Sequence, residues 1–161
     1  MANYTGANVV VAADVTKYQP DAFDFGVSST STETANFFAQ TTNDIFRALR
    51  VEWWQVYKTN IFTDITVLNT AEMVNTKVNL DQFERAGVYL FLGRFFLPAL
   101  TKFRPETEKD RFERMAEYYM SQYNMEWRMI LEDGVEYDVD ADGTIVSNER
   151  EPLHGFRRLI R

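Results

Sequence analysis

From Phe112 to Leu131 the residues Phe112, Met115, Ala116, Tyr119, Tyr123, Trp127, Ile130 and Leu131 recur three or four apart. That spacing suits a helix with one buried side, and whatever else the chain forms has to pack against it. Arg111, Glu113, Arg114, Glu117 and Arg128 populate the other side. Pro105 marks a start, with Glu106 and Glu108 behind it, because proline fits the first turn and acids fit the positive end of the helix dipole. Asp133-Gly134 marks the stop, with glycine as the C-cap. The pattern therefore predicts a helix from Pro105 to Glu132.

Three further helices are expected upstream. One starts near Thr30, with Glu33 completing a capping box, and runs to about Lys58. Phe38, Ile45, Leu49, Trp53 and Val56 give it a stripe, and Phe37, Phe46, Trp54 and Tyr57 widen that stripe beyond one face. A helix so broadly apolar lies at the centre of a bundle or is shared with a partner. Residues 59–68 are rich in β-branched side chains and fit a strand, a short helix or a connector. Asn69 to Glu72 can cap a short helix through about Lys77, and Asn79 a longer one from Leu80 to Phe103. Phe83, Gly87, Leu90, Phe91 and Leu97 mark the buried face of the longer one, Gly87 and Gly93 allow close helix approach, and Pro98 should kink or end it. Residues 1–31 read as an arm, whose Tyr18, Phe23 and Phe25 are spaced to dock, first of all on the chain's own helices.

After Gly134, Val135–Val139 alternates, Asp140–Gly143 turns and Thr144–Val146 pairs back, which predicts a β-hairpin. The same letters, Asp138 to Glu149, match the calcium-loop pattern D-x-D-x-D-G-x5-E completely. In that pattern Asp138, Asp140 and Asp142 offer oxygens to a hard cation, Gly143 allows the turn, Thr144 sits at the next ligand position, and Glu149 closes the site. The flanks do not fit a helix–loop–helix unit: Gly134 stops the preceding helix, and Pro152 falls where an exit helix would run. An acidic hairpin tip is the plain reading, and a calcium-responsive module exposing Met115, Met120, Met125 and Met129 is the alternative. If calcium binds, a hairpin-turn site without Glu149 is the expected form.

The remaining features exclude more than they assert. The net charge of −7 argues against general nucleic-acid binding. With no cysteine there are no disulfides, thiolate metal sites or cysteine nucleophiles. His154 is the sole histidine and lies in the C-terminal stretch, and there is no glycine-rich phosphate loop, H-E-x-x-H or G-x-S-x-G. No enzyme, no membrane span and no required cofactor is expected. The last twelve residues carry Leu153, Phe156, Arg157, Arg158, Leu159, Ile160 and Arg161, a basic amphiphilic arm suited to a groove on an acidic partner. The organisation read from the chain is an arm at 1–31, a bundle with hairpin at 32–149 and a docking arm at 150–161. The fold class is mainly α: a helical bundle with a long C-terminal helix, one β-hairpin and extended terminal arms.

From about Leu80 onward, the helix Phe112–Leu131 with Tyr118-Tyr119 and Tyr123, then Ile130-Leu-Glu-Asp-Gly-Val-Glu-Tyr-Asp138, then the stretch from Arg150, resembles the head-to-tail adaptor (connector) proteins of tailed bacteriophages. The resemblance implies a non-catalytic virion protein, made in the host cytoplasm and placed at the head–tail junction. It implies a ring of this chain with itself around a channel, through which packaged DNA passes without specific binding. Leu153, Phe156, Arg157, Arg158 and Ile160 would dock on the portal protein. The hairpin, with Tyr137 and Ile145, would meet the next tail or neck component.

Overall fold

The computed structural model describes residues 8–25, 27–62, 64–101, 111–145 and 149–151. It is mainly helical: α1 (Ala12–Tyr18), α2 (Thr32–Ala48), α3 (Trp54–Ile61), α4 (Ile65–Thr70), α5 (Glu84–Leu90), α6 (Leu97–Leu100) and α7 (Arg111–Asp133), with strands β1 (Val135–Glu136) and β2 (Arg150–Glu151). The described residues form two compact units. One gathers residues 8–44 and 83–127, the other 45–82 and 128–151.

In the first unit, α2 begins one residue later than Thr30 and Glu33 suggest. The Ser31 hydroxyl accepts from the Thr34 N–H at 3.1 Å, and the Ser31 carbonyl accepts from the Ala35 N–H at 3.0 Å, so Ser31 is the cap. Phe38 stacks on Phe91 with centroids 4.6 Å apart, and Phe91 on Phe96 at 5.4 Å. Over its described part the expected N-terminal arm packs on the chain's own helices, as the spacing of Tyr18 and Phe23 suggests, and it adds side chains to the core. Val9, Val10, Val15 and Ala22 are buried, and the Val9 N–H donates to Thr42 Oγ1 at 3.0 Å. Phe23 packs edge-on against Phe96 at 5.4 Å. Four buried apolar side chains outweigh the turn-forming punctuation of Gln19-Pro20-Asp21 that suggested an arm.

The stretch after Asn79 forms a 3₁₀ turn (Leu80–Phe83), α5, a π-helical segment (Phe91–Phe96) and α6, and it ends at Leu100 rather than Phe103. Pro98 has no N–H to give to the upstream turn, and the widened segment lies just before it. Gly93 permits close approach as expected: a Cβ there would lie 2.9 Å from both Cγ and the backbone N of Met120.

In the second unit, α2 passes into α3 through a π-helical segment, Leu49–Trp53. The widened turn lets two adjacent side chains, Trp53 and Trp54, both turn inward. Within 59–68 two helices meet: α3 runs to Ile61, and Asp64 caps α4 from Ile65 by accepting from the Thr66 N–H at 2.9 Å and the Thr66 hydroxyl at 2.6 Å. Those two hydrogen bonds hold the Asp64 carboxyl below its ordinary range. Between α4 and Asn79 the only helical turn is 3₁₀, Asn75–Lys77. α7 ends at Asp133, and Gly134, at φ 100°, returns its N–H to the Ile130 carbonyl at 3.0 Å. Its expected start at Pro105 lies outside the described residues.

Candidate functional site

The hairpin is wider than its sequence suggests. β1 pairs antiparallel with β2 in the register Val135↔Glu151 and Glu136↔Arg150, and the Tyr137 N–H donates to the Glu149 carbonyl at 3.1 Å. Of the expected partner Thr144–Val146, Thr144 and Ile145 belong to the loop between the strands, and Val146 lies outside the described residues. On the other edge Val78 bridges to Tyr137, with the Asn79 N–H on the Glu136 carbonyl and the Asp138 N–H on the Lys77 carbonyl. Gln82 clamps the start of the strand, its amide N–H donating to the Gly134 carbonyl at 2.7 Å and its carbonyl oxygen accepting from the Glu136 N–H at 3.0 Å. Arg150 faces Glu136 at 3.6 Å across the pair.

A wide loop needs partners for its backbone groups, and its own carboxylates supply them. Asp138 is buried; one oxygen accepts from the Ala141 N–H at 2.6 Å and the other from the Gly143 N–H at 2.9 Å. Asp140 accepts from the Asp142 N–H at 3.2 Å, and Asp142 from the Thr144 N–H at 2.7 Å. Glu149 is buried too, and its Oε1 accepts from the Val139 N–H at 2.8 Å. Ala141 and Gly143 take positive φ, 63° and 82°, which closes the coil of the loop. Lys77 caps it from outside, its ammonium donating to the Val139 carbonyl.

Folding therefore brings together Asp138, Asp140 and Glu149, one carboxylate oxygen of each lying within 4.8 Å of the others. That donor set, all hard oxygen, is the chemistry a calcium ion takes. It differs from the expected site in two respects: Asp142 and Thr144 stand outside the cluster, and Glu149 joins it, because the chain pairs back at Arg150–Glu151 and so delivers the Glu149 side chain to the loop interior. Asp142 and Thr144 are exposed. Among the described residues β1 leads into the loop and β2 leads out of it, and Pro152 lies outside them.

The other expected contact residues divide. Tyr137 is core, not contact surface. Its ring lies 5.7 Å from Trp53, 5.4 Å from Trp54 and 5.8 Å from Tyr57, and its hydroxyl accepts from the Val74 N–H at 3.2 Å. Burial pushes its hydroxyl pKa up. Ile145 is half-buried in the loop. Leu153, Phe156, Arg157, Arg158 and Ile160 lie outside the described residues. Of the four methionines on the long helix, Met125 and Met129 are exposed while Met115 and Met120 are half-buried. Lys77 and Gln82 escaped sequence reasoning, since each meets its partner more than fifty residues away with no local signature.

No helix among the described residues is long and apolar enough to cross a membrane. Comparisons with protein-family models, characterised proteins and solved structures return no match.

Proposed function

We propose that this chain is a non-catalytic structural protein of a tailed-phage virion, forming a ring that joins the portal to the tail. The observation that carries this reading is the order of elements at the C-terminal end: a 23-residue helix stopped at Gly134, a strand, an acidic loop and a returning strand, directly followed by the basic amphiphilic residues 152–161. The exposed Tyr118, Met125 and Met129 on α7 support it as well, because a helix of a self-contained domain has less reason to present large apolar side chains to water. An acidic chain suits a channel that DNA must traverse without sticking. The arm Leu153, Phe156, Arg157, Arg158 and Ile160 docks on the portal, neighbouring copies complete the ring, and the loop around Ile145 meets the next neck or tail component. Deleting Pro152–Arg161 tests this: portal attachment is lost while the helical circular-dichroism signal persists. Loss of that signal would make the segment part of the core and remove the docking role.

The convergence of Asp138, Asp140 and Glu149 favours a second reading, in which the loop holds calcium and responds to it. Calorimetric titration with calcium at physiological salt tests it, with Asp140→Ala as control. Saturable heat that disappears in the variant supports a metal-stabilised hairpin. No heat at millimolar calcium leaves the loop closed by its own backbone hydrogen bonds alone.

A further inference from the structure

Between Lys58 and Glu72 the chain carries a single charged residue, Asp64, although 25% of its residues are charged. α4 lies inside that stretch, and none of its residues is buried. Ile65, at 70%, is the most exposed large apolar side chain among the described residues, and Val67 is exposed as well. Helices in proteins draw most of their stability from a packed apolar face, yet α4 presents its apolar side chains to water. The same unit exposes Val51, Val56 and Val74. All of these side chains are β-branched, and such stiff groups lose little rotamer freedom when they are covered.

We propose that α4 is a two-fold contact between two copies of this chain, each copy's α4 lying against the other's. Charge selects a second copy. At −7 each copy repels the next, so like copies meet where charge is least, and a charged partner of either sign finds only Asp64 to meet. That carboxylate already accepts from the Thr66 N–H and hydroxyl. Hydrogen bonding selects the same occupant. The exposed polar side chains of α4 are Thr66, Asn69 and Thr70. Thr66 gives its O–H to Asp64, and Thr70 gives its own to the Thr66 and Val67 carbonyls, which leaves both hydroxyl oxygens as acceptors. The Asn69 amide brings N–H donors and an oxygen acceptor. Donors and acceptors thus sit on one short uncharged helix, and the patch is complementary to itself, as a two-fold interface requires. Ring contacts are head-to-tail and join different surfaces, so this contact is separate from those of the ring.

Sedimentation velocity of the full chain over a rising concentration series tests it. The mass is expected to climb from one chain to two and no further. Ile65→Asp, at a position open to water, keeps the helical circular-dichroism signal and weakens the dimer by about tenfold or more, because it places two like charges in the contact. The chain has no cysteine, so a single introduced one reports proximity. On mild oxidation Val67→Cys is expected to form a covalent dimer faster than Ser121→Cys, which is exposed on α7. A chain that stays monomeric up to millimolar concentration, one that associates equally well with Ile65→Asp, or equal cross-linking by the two cysteines overturns the proposal. Mass beyond two copies that Ile65→Asp abolishes also overturns it, since α4 would then be one half of a head-to-tail contact.

Discussion

A methyl group added at position 93 meets the backbone of α7 as well as a side chain. Met120 can swing its Cγ and Sδ away, but its backbone N, also 2.9 Å from the added Cβ, moves only with the helix. Gly93→Ala is therefore expected to destabilise the fold by about 1–3 kcal/mol, the usual range for overpacking, read as a lower urea midpoint at unchanged slope. The close approach was legible from Gly93 on a largely apolar helix, but the residue opposite was not. Capping shows the same limit at residue scale. Thr30 with Glu33 and Ser31 with Thr34 are both acceptable starts in one dimension, and the hydroxyl geometry selects Ser31.

At the scale of elements, the loop after β1 is held by buried carboxylates and not by a tight turn. Asp138 is the main acceptor inside it, and its replacement leaves the Ala141 and Gly143 N–H groups without that partner. Asp138→Ala should cost about 1.5–3 kcal/mol, the range for the loss of hydrogen bonds to a charged group. The change would appear as a lower thermal midpoint and as faster amide exchange at Ala141 and Gly143, with α7 amides unchanged. The long helices were legible in sequence over their described residues, because a 3.6-residue period is a local property repeated over many residues, whereas the short α1 and α4 were not. Nor was the hairpin register. Asp140–Gly143 carries the letters of a two-residue turn, and pairing at Thr144–Val146 follows from them locally. What moves the pairing to Arg150–Glu151 is non-local: the opposite edge is occupied by Val78, and the strand is clamped by Gln82. The two π-helical segments were not legible either: the extra residue shifts the apolar phase, but in stripes this broad, with Trp53 and Trp54 both apolar, a shift and a wider face look alike.

For the molecule as a whole, buried phenols set an alkaline limit. Burial raises the hydroxyls of Tyr137 and Tyr119 above their ordinary value. The fold holds these groups neutral, while the unfolded chain ionises them near pH 10. Their contribution is thus complete below about pH 10 and declines as pH rises from there through the folded values. Urea midpoints should be level between pH 8 and 9.5 and drop by pH 11; a flat profile would mean the rings are more open to water than they stand here. Sequence by itself determined that this chain is mainly helical, that α7 ends at Gly134 and that an acidic loop follows, because periodicity, caps and glycine act over a few residues. Only the tertiary structure decided that the N-terminal residues from Val9 are core, that Tyr137 is buried, and that Glu149 joins Asp138 and Asp140. Each of those depends on which distant segment comes to lie beside it, and burial and strand pairing are settled between segments, not within them.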